Sequence, residues 1–234
     1  MKWLHKCLDI LYPKTCCFCG EVSAEDICNK CRKKIVYIQE PVCKKCGKPI
    51  RYEEGELCHD CQNNDFSYEQ GKSIWLHKGP VRNSIYRFKY NNKRIYGKFY
   101  AEELYRLYQH KIKEWDIDVI IPIPLHPRRR RERGYNQSEI VAKYLGELAG
   151  IPIERKVLYR IRNTKPQKSL NHKDRKANLK NAFRAKGDLK KIKNILLIDD
   201  IYTTGNTIHE ATKALQKKGA LKVFFFTISI GQGF

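Results

Sequence analysis

Acidic residues are scarce in this chain: 25 Asp and Glu stand against 47 Lys and Arg in 234 residues, a formal net charge of +22. That imbalance disfavours cationic partners and favours polyanions, nucleic acid first and an anionic membrane surface second. Long hydrophobic runs are missing as well. No stretch approaches the ~18–20 apolar residues that cross a bilayer, which excludes a spanning helix. Cysteine is absent after Cys61, while the ten cysteines up to that point crowd into close pairs, and the start does not resemble a signal peptide. A disulfide-stapled secreted scaffold is therefore excluded, and metal binding in a reducing cytoplasm is expected. A hydrophobic fraction of 41% with 11% aromatics excludes wholesale disorder. The length suits one medium α/β domain with a small satellite.

The cysteines carry the satellite. Cys16 and Cys19 share a two-residue gap with Cys28 and Cys31, and the same unit recurs as Cys43, Cys46, Cys58 and Cys61. Gly20 and Gly47 follow the first knuckle of each unit, where a left-handed turn lets amides face the sulfurs. Four thiolates around one ion make a closed structural zinc site with no position left for catalysis. Two Zn2+ sites are thus predicted, Cys16, Cys19, Cys28 and Cys31 at one and Cys43, Cys46, Cys58 and Cys61 at the other, with a crossed pairing of knuckles also open. Chelation is expected to unfold this head while the remainder keeps its fold. Cys17 is the spare thiol, and His59 is read as solvated. Trp3, Leu4, Cys7, Leu8 and Leu11 fall at helical spacing, so Met1 to Leu11 is read as a short amphipathic helix packed on the head or core, with a membrane-surface role as the alternative.

The chemistry is carried farther on. Ile195 to Ile198 is an unalternating apolar run, as in a central parallel strand buried on both faces. Asp199 and Asp200 follow it, and Thr203, Thr204, Gly205, Asn206 and Thr207 then read as a tight turn opening a helix. Outward amides at such a turn hold phosphate, and a glycine lets the main chain come close. Two carboxylates beside a phosphate cradle require a ligand whose hydroxyls they accept, usually with magnesium. A phosphorylated sugar meets both demands.

The body begins after a polar junction at Gln62 to Asp65, which places the boundary between residues 1–66 and 67–234. Ile74 to Leu76 and Val119 to Pro124 read as strands, Val81 to Tyr90 and Gly97 to Ile112 as helices, and Val223 to Ile228 as a last buried strand. The first two helices interleave tyrosines with Arg87, Lys89, Lys93 and Arg94, a pattern that suits base stacking and core packing equally. Arg128, Arg129, Arg130, Arg131 and Arg133 are read as a loop beyond a strand end, in reach of a pyrophosphate or a nucleic-acid backbone. Residues 155–193, basic and weakly periodic, are read as a mobile loop or ribbon over the site followed by a short helix.

Residues Ile198 to Thr207 resemble the phosphoribosyl pyrophosphate (PRPP) motif of type I phosphoribosyltransferases. That resemblance implies that Asp199 and Asp200 meet the ribose hydroxyls, that Thr203 to Thr207 hold the 5-phosphate, and that Mg2+ accompanies PRPP. Over essentially the whole chain, the double cysteine unit, Ile121 to His126 with Arg133-Gly134-Tyr135-Asn136-Gln137-Ser138, and the flexible-loop positions Arg162, Thr164, Gln167, Arg175 and Asn178 resemble the ComF/ComFC family. The resemblance implies an α/β type I phosphoribosyltransferase fold, a mainly parallel twisted sheet with flanking helices, behind a small double zinc ribbon. It further implies a cytoplasmic protein of natural transformation that handles single-stranded DNA near the inner membrane with a competence helicase of the ComFA type. The alternative is an active phosphoribosyltransferase acting on a base or amine; no acceptor base is evident in the residues.

Overall fold

The computed structural model describes residues 13–51, 55–163 and 179–231. The helix expected at Met1 to Leu11 and the loop positions Thr164, Gln167, Arg175 and Asn178 lie outside them.

Ile195, Leu196, Leu197 and Ile198 are wholly buried because they form the middle of a strand covered on both sides. The strand runs Asn194–Tyr202 and is the fifth in chain order, β5. Its parallel neighbours are β2 (Val119–Pro122) and β6 (Lys222–Ile230), and β1 (Gly71–Leu76) pairs in parallel with β6, giving the order β1-β6-β5-β2. Alternation along β5 divides the core. Leu196 and Ile198 pack with Ile85, Phe99, Tyr100 and Leu145 from three helices, α3 (Gly79–Tyr90), α4 (Tyr96–Glu114) and α6 (Gln137–Ala149). Ile195 and Leu197 pack on the other face with Phe225, Ile208 and Leu215, the last two from α7 (Asn206–Gln216). A short antiparallel ribbon, β3 (Leu158–Arg160) with β4 (Phe183–Ala185), stands beside α7.

Each cysteine unit has the same local build. A bridge pairs Thr15 with Val22 and Val42 with Pro49, Gly20 and Gly47 take φ +82° and +75°, and a one-turn helix carries the last cysteine: α1 (Asn29–Arg32) and α2 (His59–Gln62). The head does not stand apart from the body. Phe18 meets Trp75 edge-on at 5.3 Å, and Ser84 and Arg87 of α3 donate to the carbonyls of Cys17 and Phe18. The second unit joins the opposite core, with Cys43, Cys46, Cys58 and Cys61 buried in the cluster of Tyr202 and Phe225. Between the units, the chain lays itself antiparallel along β1: Tyr37 bridges Trp75, Ile38 N donates to Ile74 O at 3.0 Å, and Leu76 N donates to Val36 O at 3.0 Å. The two units thus clasp opposite faces of one sheet.

The arginine run departs from its expected loop form. Pro127 to Arg133 is a helix, α5, with proline in its first turn, the His126 side chain accepting from Arg128 N at 3.3 Å, and Gly134 closing it at φ +76°. Proline at a first turn, an N-terminal cap, straight-chain arginines and a terminal glycine are all helix signals. The charge run masked them.

Candidate phosphoribosyl site and metal centres

The parallel sheet brings the ends of β5 and β2 together, and the loops that leave them meet. Asn136 is buried because it pins that meeting: its amide donates to Ile123 O at 3.0 Å, while its carbonyl oxygen accepts from Ser138 N at 3.2 Å to cap α6. Ser138 then donates to Asp199 Oδ1 at 3.4 Å, and the Asp200 amide donates to the same oxygen at 2.8 Å. The Gly134 to Ser138 motif therefore aims a carboxylate.

Asp199 and Asp200 sit in an electrostatically divided place. Burial, then the neighbouring Asp200 charge, pushes the Asp199 carboxyl up to about 7, against the Asp200 amide, Lys89 and Arg160. Lys89, the penultimate residue of α3, reaches across to Asp200 Oδ1 at 2.7 Å, with both side chains less than a fifth exposed. Arg160 on β3 is held down to about 10 chiefly by burial and next by the Arg129 charge, against the pull of Asp199 and Asp200. Next to Lys89 lies a cavity of about 330 Å3 lined by Lys89, Tyr90, Asn92, Arg129, Glu132 and Arg133.

The turn at residues 203–207 leads from the end of β5 into α7. Gly205 takes φ +80°, and a Cβ there would lie 2.5 Å from the Tyr202 hydroxyl and 3.0 Å from Phe66 Cζ, so only glycine fits. Asn206 and Thr204 are buried and joined by a 3.0 Å bond, and α7 begins at Asn206 with no acidic residue in its first turn. The helix end can thus receive an anion. Thr203 and Thr207 are partly exposed beside it.

The five predicted arginines split. Arg129 and Arg133 line the cavity next to Lys89; Arg133 Nη1 donates to Gln137 Oε1 at 2.7 Å, and its guanidinium lies 5.0 Å from the Tyr90 ring centre. Arg128, Arg130 and Arg131 are exposed, Arg128 paired with Glu132 at 3.1 Å and Arg130 with Glu139 at 2.7 Å. Arg162 closes the base of the β3–β4 ribbon by donating to Lys180 O at 2.7 Å. Sequence reasoning missed Arg160 altogether and named Lys89 only as one cation among tyrosines. Lys89 sits one turn after Ile85, which is buried, and next to Phe88, also buried, a helical phase that marks it as edge-facing.

The cysteines form two groups, Cys16 with Cys19, Cys28 and Cys31, and Cys43 with Cys46, Cys58 and Cys61, each with sulfurs within 4.8 Å of one another. Sulfur separations of 3.6 Å for Cys19 to Cys28 and 3.5 Å for Cys46 to Cys58 approach the ~3.8 Å edge of a tetrahedron with ~2.3 Å Zn–S bonds. All-sulfur, closed, four-ligand sites fit zinc as a structural ion, and the pairing is sequential rather than crossed. Cys17 lies outside both groups, its buried thiol pushed up to about 12 mainly by desolvation. His59 is exposed.

Fold and site define a phosphoribosyltransferase-type domain carrying a double zinc ribbon. Residues 7–62 match the family model of the double zinc ribbon domain and residues 100–229 that of the phosphoribosyl transferase domain. Competence protein F of Haemophilus influenzae is 32% identical over 173 residues, covering 70% of this chain and 74% of that protein. Competence protein ComFC of Bacillus subtilis is 31% identical over 164 residues, 68% of this chain and 63% of that one. DNA utilization protein YhgH of Escherichia coli strain K12 is 35% identical over 106 residues, 45% of this chain and 46% of its own length. A purine phosphoribosyltransferase from Pyrococcus horikoshii superposes with a TM-score of 0.35 at 18% identity, over 56% of this chain and 86% of that one. The chain belongs to the ComF/ComFC family of competence proteins. Among the described residues, no helix is long and apolar enough to cross a membrane.

Lys89 offers a direct test of the electrostatics. Lys89→Met leaves Asp200 half-buried without its cation, which costs about 1–3 kcal/mol. The loss is expected to be larger at pH 8, where Asp199 is ionised beside Asp200, than at pH 5.5, where Asp199 is protonated. Urea denaturation at the two pH values checks both size and direction.

Proposed function

We propose that this protein serves DNA uptake in natural transformation, binding PRPP with Mg2+ at Asp199 and Asp200 and single-stranded DNA on the basic rim beside that site. One observation carries the reading: the Asp pair at the end of β5, just before the turn into α7, is met by Lys89 and Arg160, with Arg129 and Arg133 lining the adjoining cavity. A sugar bearing hydroxyls, with a phosphate at one end and a pyrophosphate at the other, satisfies all three zones at once. Asp199 and Asp200 accept from the ribose hydroxyls, residues 203–207 donate to the 5-phosphate, and Arg129 and Arg133 face the pyrophosphate. Mg2+, when bound, neutralises pyrophosphate charge.

DNA binding is supported at the rim. Tyr96 and Tyr100 are core residues, which resolves the interleaved pattern for them, but Tyr86 and Tyr90 are 53% and 59% exposed with ring centres 4.9 Å apart. Exposed aromatic faces among arginines suit stacking of unpaired bases. Tyr86→Ala with Tyr90→Ala should weaken single-stranded DNA about tenfold or more, at roughly 1–3 kcal/mol per stacked base. Arg128→Ala with Arg131→Ala should lower the salt slope, by about 0.7 for each phosphate that is no longer neutralised, with PRPP affinity unchanged. Fluorescence anisotropy across a salt series reads both, and unchanged affinity in both variants would remove DNA from this rim.

The cations around the Asp pair and its adjoining cavity also favour the second reading, a transferase in which pyrophosphate departs as a base or amine attacks the ribosyl carbon. Pyrophosphate release across a panel of bases and amines, with and without DNA, separates the two. A cytoplasmic site of action at the inner membrane surface beside a ComFA-type helicase completes the first reading, and a pull-down from membrane fractions tests it.

A further inference from the structure

The phosphate loop has a floor, and the second cysteine unit supplies it. Immediately after Cys61 the chain runs under the start of α7. The Phe66 ring lies beneath Gly205 and meets His209 at 5.7 Å. Ser67 N donates to His209 Nδ1 at 3.1 Å, and Ser67 O accepts from Gln216 Nε2 at 3.4 Å, so this segment is bonded to both ends of α7. Tyr68 stacks on Phe66 at 5.3 Å, and its hydroxyl shares a 2.6 Å hydrogen bond with that of Tyr202 while lying 4.0 Å from Cys61 Sγ. Tyr202 is the last residue of β5, and its hydroxyl occupies the space where a side chain on residue 205 would go. A buried Lys48–Asp60 ion pair locks α2 against this stack, with Lys48 Nζ 5.9 Å from the Tyr202 ring centre.

A continuous series of contacts therefore links the Cys61 sulfur to the peptide groups that would hold a phosphate. Among the described residues the first cysteine unit has no equivalent route, since it packs on α3 and α4 across the sheet. We propose that the second ribbon is the positioning element of the phosphate loop, acting through Phe66, Tyr68 and Tyr202, so that zinc occupancy at Cys43, Cys46, Cys58 and Cys61 and 5-phosphate binding at residues 203–207 are coupled. The ligand part of this proposal rests on the PRPP reading; the loop part does not. With the metal in place, the Phe66–Tyr68 segment leaves α2 at a fixed height and the loop has one shape. Without it, Cys58 and Cys61 no longer hold α2, and the floor under Gly205 loses its anchor. Coupling of this kind is reciprocal, so phosphate should also slow zinc loss from this site.

Phe66→Leu keeps an apolar core residue while removing the flat ring, and Tyr68→Phe removes only the hydroxyl. Both are to be studied in the full zinc-loaded chain. Expected is an affinity for ribose 5-phosphate reduced about three- to tenfold, the range set by one aromatic pair for Phe66→Leu and by one hydrogen bond for Tyr68→Phe, with inorganic pyrophosphate affinity unchanged. Amide hydrogen exchange at residues 203–207 should quicken while zinc stoichiometry remains two. Loss of affinity for both ligands alike without faster loop exchange would overturn the proposal, as would unchanged exchange in both variants. Should the unaltered protein bind neither ligand, the PRPP reading fails by itself and the exchange rates alone decide the loop coupling: faster exchange supports it, unchanged exchange ends it.

Discussion

Asp199→Ala combined with Asp200→Ala is expected to abolish detectable PRPP binding in calorimetry while the protein keeps its circular dichroism spectrum. Each carboxylate accepting a ribose hydroxyl contributes about 1.5–3 kcal/mol as a charged hydrogen bond, so removing both lowers affinity by about two to four orders of magnitude. Folding does not depend on these charges in the same way. Asp199 has a raised pKa, about 7 against an ordinary 3.8, so between those values the native state holds a proton that the unfolded chain has lost. Stability therefore falls as pH rises through this window and levels off above it, the reverse of a carboxylate held by a salt bridge. The penalty at neutral pH has a ceiling of about 4 kcal/mol for the shift from 3.8 to about 7, at ~1.4 kcal/mol per unit. Asp199→Asn should flatten the profile between pH 4 and 7, and chemical denaturation across that range reads it directly. Equal PRPP affinity in the double variant would sink the pocket.

Zinc removal should have the largest effect on structure. Two zinc ions per chain are expected by native mass spectrometry, and a structural zinc site contributes about 10–16 kcal/mol of apparent binding energy in small zinc-finger peptides. The sequence suggested that chelation would strip a head and spare the body, whereas the packing leads us to expect a loss that reaches the body. Cys16, Cys17, Phe18 and Cys31 belong to the same core as Trp75, and the second set belongs to the core of Phe225 and Leu197. Loss of both ions opens both faces of the sheet. Chelation should therefore red-shift tryptophan emission, since Trp75 is wholly buried against Phe18, and should lower the urea midpoint of the whole chain. Cys46→Ser, at a wholly buried ligand, should lower that midpoint too. An unshifted emission spectrum in metal-free protein would mean that the body stands alone.

The difference between these two expectations marks where sequence reasoning ends. Periodicity and spacing are local, and they located what is local: the β5 run, the helices containing Ile85 and Leu104, the last strand, the knuckle pairs and the turn from β5 into α7. Contacts between distant segments carry no comparable signal. Arg160 reaches the site only because β3 rises beside α7, and Lys89 only because α3 ends over β5. Both lie more than thirty residues from the Asp pair in sequence. The arginine run shows a different failure. Its residues were legible as chemistry, but helical phase decides which face the pocket, so Arg129 and Arg133, four apart, point inward while Arg128, Arg130 and Arg131 face water.

The strip from Val36 to Ile38, laid along β1, bears on how this protein fails when metal is scarce. A parallel sheet ends in a strand whose outer amides and carbonyls invite any extended chain. Here the chain covers that border itself with Ile38 N to Ile74 O and Leu76 N to Val36 O, and the strip is tethered at both ends by a cysteine unit. Release of either ion loosens one tether. The uncovered row on β1, with Ile74, Trp75 and Leu76 behind it, is a ready template for a second molecule, so metal-starved protein should leave solution by edge-to-edge association before it unfolds.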